Sequence, residues 1–330
     1  MAIDLKFPLR ALLGLTILLA PLSHAADATD YPARQPIRLI VGYPAGGSTD
    51  LNGRLLGKAL SEKLHQSVVV ENVGGAGGAI AAQRVVNEKP DGYTLLVGAV
   101  NEIIITSLVN PNIRYDGSRD FTGVGLIGSQ PLMLTASKKS GITNIDEYLA
   151  MVASGKSSQY SFGSSGVGTS LHLAGEMINA ATKGEVQHVP YRGVAPLLTD
   201  MVSGQLDFGI FGLSSGLPQV ETGAIVPIGV TAPKRSETAP DIPALSENPV
   251  FEGLDVSLWF GLFGPANLPQ PVVDKLAGAL KEIVNDKAFQ EEYKRTGGTV
   301  ITETPDMAGF LKSEREKYQR IVDIAHIGKE

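Results

Sequence analysis

Two stretches of this chain carry residue types suited to holding a small anion. The first is Tyr43-Pro44-Ala45-Gly46-Gly47-Ser48-Thr49-Asp50, and the second is Gly163-Ser164-Ser165-Gly166-Val167-Gly168-Thr169-Ser170. Each follows an apolar segment with strand character and precedes apolar residues at helical spacing. Gly46 and Gly47 remove side chains, so backbone N–H groups can approach a ligand closely. Ser48 or Thr49 is placed to cap the following helix, whose first N–H groups have no partner inside it. A helix start of this kind favours an anion. Two such turns predict a cleft that grips a carboxylate from both sides. The serines and threonines also have a plainer role as caps, worth about 1 kcal/mol each. The glycine pair and the echo at 163–170 favour ligand contact.

Other constellations suggest other chemistry. Gly212-Leu213-Ser214-Ser215-Gly216 matches G-x-S-x-G after a strand, the setting of a serine hydrolase with Ser214 as nucleophile. Its partners in chain order would be Asp241 and His326. The competing reading is a turn of small residues lining a cleft, with Leu213 on the pocket wall. Gly74 to Gly78 does not complete G-x-G-x-x-G, and no lysine follows Gly46 and Gly47 as a phosphate loop requires. No nucleotide or other cofactor is expected. His65, His172, His188 and His326 lack metal-ligand spacing, so no metal is expected. Arg192 has two readings, a bidentate clamp on a second carboxylate or a surface salt bridge. Trp259, Phe260 and Phe211 read as packing residues.

The elements that must position these residues alternate. Strands are predicted at 37–42, 68–71, 94–98, 132–136, 159–162, 186–189, 206–211, 226–230 and 256–263. Helices are predicted at 51–64, 79–88, 171–181, 195–203, 271–285 and 287–296. Asn144 with Glu147 three residues on signals another helix start. Thr304-Pro305 reads as a cap and first helical residue opening a last helix to 325. Such alternation argues for parallel sheets of βαβ units, with ligands bound beyond the carboxyl ends of the strands. Residues 231–249 hold four prolines and read as an irregular surface crossing.

Composition narrows the setting. Lys6 and Arg10 precede an apolar run at 11–22, and Ser23-His24-Ala25 offers small residues for cleavage, so 1–25 is expected to be a signal peptide cut after Ala25. The run falls short of the roughly 20 residues that span a bilayer. A net charge of −6 without a basic run gives no footprint for nucleic acid. There is no cysteine, so neither disulfides nor thiolate metal sites arise. Some 300 residues are enough for two domains without staples.

The chain resembles the solute-binding proteins of the tripartite tricarboxylate transporter family, also called the Bug family. The matching segments are 44–50, 75–78, Lys89-Pro90-Asp91-Gly92-Tyr93-Thr94-Leu95-Leu96, Asp120-Phe121, 163–176, Val189-Pro190-Tyr191-Arg192-Gly193 and Gly204-Gln205-Leu206-Asp207. The resemblance spans nearly all of the expected mature chain. It implies an α/β, type II periplasmic binding fold, with two lobes of parallel-rich sheets joined by two crossovers. The lobes are placed at 27–130 with 256–330, and at 131–255. It further implies a periplasmic, non-enzymatic protein that closes over a small carboxylate and delivers it to a membrane permease. Carried onto this chain, the contacts are Tyr43, Ala45, Gly47, Ser48 and Thr49 on one lobe. On the other they are Ser164, Ser165, Gly168, Thr169 and Ser170. Asn101, in a stretch where relatives carry small polar residues, is a further expected contact to the ligand, and Val73-Gly74 replaces a basic–proline pair.

Overall fold

The computed structural model describes residues 30–325 and 327; the expected leader and its cleavage site lie outside them, as does His326. Strand β1 (Ile37–Val41) lies between β2 (Val68–Asn72) and β3 (Thr94–Ala99), parallel to both. Strand β4 (Phe121–Ala136) is the long member of the sheet. Strands β5 (Ser161–Ser164), β6 (Gln187–Pro190) and β7 (Phe208–Gly212) form a second parallel group, with β5 in the middle. Strand β8 (Val226–Val230) completes that side, and β9 (Ser257–Pro265) and β10 (Thr299–Val300) return to the first.

Antiparallel pairing joins the two parallel groups. Strand β9 pairs with β3 on one edge and with the first part of β4 on the other, down to Pro131↔Ser257. From Leu132 onward β4 pairs with β7 instead. One strand thus serves both sides, and Gln130 lies at the handover.

Among the described residues, ten helices cover the sheet: α1 (Ser48–Leu64), α2 (Ala79–Val86), α3 (Thr106–Val109), α4 (Ile145–Ala153), α5 (Ser170–Thr182), α6 (Val194–Ser203), α7 (Leu213–Glu221), α8 (Gln270–Val284), α9 (Lys287–Arg295) and α10 (Met307–Ile324). Helix α1 buries Leu56, Leu60 and Leu64, one turn apart. Its backbone comes so close to the sheet that a methyl group on Gly53 would sit 2.8 Å from Val41 Cγ2. The principal core is continuous across both strand groups, running from Leu39 and Val97 through Phe263 and Leu134 to Phe162 and Phe208.

Several expectations needed correction. Residues 121–131 are strand, although Gly123, Gly125, Gly128 and Pro131 hide the period-2 signal. The last helix is capped by Asp306, whose carboxylate accepts from the Ala308 and Gly309 N–H groups, and not by Thr304. Residues 101–105 form a π-helical turn leading into α3, and the G-x-S-x-G stretch opens helix α7. Asn144 caps α4 as expected, accepting from the Glu147 N–H.

Candidate functional site

The first glycine turn is held by an acid. Neither Ser48 nor Thr49 caps α1; Gly47 takes that position without a side-chain bond. Asp50 reaches back instead, accepting from the Gly46 N–H at 3.0 Å, and also from Arg54 and Asn72. Burial opposes its ionisation, but bonds from Arg54, Gly46 and Asn72, with the Arg54 charge, outweigh that and hold the carboxyl below its ordinary range. The Ser48 and Thr49 side chains are thereby released from capping. Both are buried and line a small chamber.

The second turn is organised by side chains of its own. Thr169 is the N-cap of α5; its Oγ1 accepts from the His172 N–H and donates to Gly166 O at 2.8 Å. His172 Nδ1 accepts from the Gly168 N–H at 3.2 Å, and its Nε2 faces Glu176 at 3.6 Å. His188 stacks on His172 with ring centroids 3.8 Å apart, and its Nε2 lies 2.7 Å from Ser164 Oγ. Burial, then the neighbouring His172, push the His188 imidazole down to about 4, so it is neutral at physiological pH. Asn101 crosses from the other strand group. Its Oδ1 accepts from the Ser170 N–H at 2.8 Å, and its Nδ2 donates to Tyr43 Oη, which donates on to Gly77 O.

A third helix start converges on the same place. Ser214 Oγ donates to Ser48 Oγ at 2.7 Å, Ser48 to Ser215 Oγ at 3.4 Å, and Ser215 to Gly212 O at 3.0 Å. The Ser214 N–H donates to Gln130 Oε1 at 2.7 Å. Ser214 is therefore a residue of the first turn of α7, bonded to a hydroxyl and an amide. Among the described residues, Ser214 has no histidine partner, as a hydrolase nucleophile would require. Gln130 Nε2 and Ser170 Oγ are buried with no hydrogen-bond partner, each such group costing about 1–3 kcal/mol if left unmade.

The chamber between these helix starts has a volume of about 20 Å³ and is lined by Tyr43, Gly47, Ser48, Thr49, Asn101, Ser165 and Gly212 among others. That is about one water. Its lining has neither lysine nor arginine. Beyond Tyr43, Pro44 and Ser165 a cleft of about 1290 Å³ opens, walled by the 74–78 loop, residues 109–112, Val167, His172 and Arg192.

The expected contacts divide accordingly. Tyr43, Gly47, Ser48, Thr49, Asn101 and Ser165 are brought together at the chamber. Arg192 is exposed at the outer cleft. Ser164, Gly168, Thr169 and Ser170 stand behind the wall, shaping the turn, and Ala45 is exposed beside the first turn. Leu213 is fully buried in an apolar cluster with Met133 and Val230, away from the chamber. Trp259 donates to Glu314 at 2.7 Å, a packing role as expected. Gln130 carries no sequence signal, because it sits in a stretch rich in glycine without a motif. Among the described residues, no three histidine, aspartate or glutamate side chains lie close enough to hold a metal ion.

Two parallel strand groups sharing a long central strand, with helix starts facing one another between them, define the fold of a periplasmic solute-binding protein. The structure superposes on a Rhodopseudomonas palustris protein solved with adipate, 29% identical, with a TM-score of 0.86 over 90% of this chain and 99% of that one. MatC from Rhodopseudomonas palustris, solved with bound malate, is 27% identical with a TM-score of 0.82, over 88% and 99%. In sequence the chain is 29% identical to protein BugT of Bordetella pertussis, over 95% of this chain and 96% of BugT. Residues 53–327 match the model of the tripartite tricarboxylate transporter family receptor, and the chain belongs to that family.

Proposed function

We propose that this protein is an exported, non-enzymatic receptor that captures a small organic carboxylate in the periplasm and delivers it to a tripartite tricarboxylate-type permease. The observation that carries the reading is the convergence of the starts of α1, α5 and α7 on one uncharged chamber, where hydroxyls and an amide stand among apolar side chains. Oriented N–H groups and hydroxyls there favour a carboxylate without a neutralising cation. Relatives solved with adipate and malate fit the same ligand class. The lobes in this reading are 27–130 with 256–330, and 131–255. A chamber of one water cannot admit a carboxylate, so capture requires the lobes to part and close again, the ligand favouring the closed state by its added contacts. Contacts such as Asn101–Ser170 and Ser48–Ser214 are the ones that separation would break.

The test is thermal denaturation of the mature protein with a panel of mono-, di-, tri- and aromatic carboxylates. A ligand at a hundred times its Kd should stabilise by about 2.7 kcal/mol, or several degrees at this size. A selective upward shift supports the reading and names the ligand class. No shift with any member, on folded and ligand-free protein, overturns it.

A further inference from the structure

Resting on the carboxylate reading, we infer that Gln130 is a specificity-determining contact, donating its Nε2–H to an oxygen of the carboxylate held between α1 and α7. The orientation of the amide is fixed from one side. Its Oε1 accepts from the Ser214 N–H at the start of α7, which cannot be satisfied if the amide is turned over. Nε2 is therefore directed away from Ser214, and there it is buried without an acceptor. What it faces is known. A methyl group built on Gly212 would lie 3.1 Å from Gln130 Nε2 and 2.5 Å from Ser48 Oγ. Gly212 and Ser48 both line the chamber. The side of Gly212 that carries no Cβ is thus filled by Ser48 Oγ, with the unpaired amide donor next to it; when the lobes part and Ser48 moves away, a ligand oxygen can take that place, where it suits both the helix start and the amide donor.

Position adds a second consequence. Gln130 lies where β4 leaves its pairing with β9 and takes up pairing with β7. One amide would then bind the ligand with Nε2 while fixing α7 with Oε1, tying ligand oxygen, helix start and crossover together.

The test compares Gln130→Glu and Gln130→Met with the wild type by calorimetric titration, using adipate and malate as probes. Glutamate keeps the acceptor for Ser214 N–H but replaces the donor with a second anion. Methionine removes both groups without adding charge. If Gln130 contacts the carboxylate, Gln130→Glu binds most weakly, by about 100-fold or more, and Gln130→Met falls between, at about tenfold. If Gln130 only supports α7, the order reverses, with Gln130→Glu near wild type and Gln130→Met impaired; that order overturns the inference. Should Gln130→Glu not fold, wild-type affinity in Gln130→Met overturns it equally, and a loss of about tenfold sustains it if the ligand-free melting temperature is unchanged but overturns it if that temperature falls, as lost support of α7 requires. A wild type that binds neither probe moves the comparison to whichever carboxylate the thermal panel selects; only a wild type that binds no carboxylate strikes at the carboxylate reading itself and takes this inference down with it.

Discussion

Thr49 and Thr169 occupy similar places in two similar glycine turns, yet their side chains have different tasks. Thr169 is bonded at both ends as the cap of α5, while Thr49 is released because Asp50 holds its own turn. Thr169→Val should therefore cost about 1 kcal/mol of stability, seen as a lower urea midpoint at unchanged m-value. Thr49→Val should leave the midpoint alone and weaken carboxylate binding, by about tenfold for one lost charge-assisted bond. Equal midpoints for Thr169→Val and wild type would count against the cap. The glycine turns were legible because glycine, serine and threonine have strong local reasons to occur where they do. Which hydroxyl caps and which stays free was not legible, because it depends on Asp50, Arg54 and Asn72 meeting across 22 residues. Asn101 was a visible departure whose bond to Ser170 only folding supplies. Gln130 carried no signal, since an isolated glutamine has no preferred chemistry.

At the scale of elements, the π-helical turn 101–105 places two polar residues in opposite settings. Asn101 faces the chamber with its bonds satisfied, whereas Glu102 is fully buried. Glu102 Oε1 accepts from the Ala99 N–H at 2.8 Å, and its Oε2 has no partner. Burial pushes this carboxyl up to about 8, against a starting value of 4.5. The folded protein then keeps a proton that the unfolded chain releases, so stability should fall as pH rises from about 4.5 to about 8 and change little above. Glu102→Gln removes that dependence. The melting temperature of the variant minus that of the wild type should grow steadily from pH 5 to pH 8; a constant difference would refute neutral Glu102. Elements whose hydrophobic period was strong, such as α1 and β3, were readable from sequence. Strand 121–131 was not, because glycines and a proline are tolerated there only through pairing with β9. Helix α7 was hidden because its opening residues match a catalytic motif as well as they match a helix start.

At the scale of the whole molecule, the question is whether the two sides part. The mouth of the chamber offers a direct probe. A Cβ built on Gly47 lies 4.0 Å from Val194 Cγ2, with both residues on the chamber wall and on opposite strand groups. A cysteine at 47 would then have its Cβ 4.0 Å from the γ position of residue 194, within a small shift of disulfide geometry, and the chain has no other cysteine to compete. Gly47→Cys/Val194→Cys should bind carboxylate when reduced and lose binding when oxidised before ligand is added. Equal binding in both states would show that ligand enters without separation of α1 and α6. The alternation of strand and helix made the parallel groups legible at this scale. The antiparallel centre was not, because the pairing of β3 with β9 joins residues some 160 apart, beyond any local pattern.

That same pairing has a consequence for the order of events during synthesis. Strands β1, β2 and β3 come early in the chain, but the strand that flanks β3 is β9, which begins at Ser257. Until residue 265 is available, the first strand group has an open edge and β4 lacks half its partners. Pairings this distant form late. A growing chain would therefore hold its early strands unlocked until about four-fifths of it has been made. If the protein is exported as proposed above, through the membrane as an extended thread, that delay would keep its leading portion threadable.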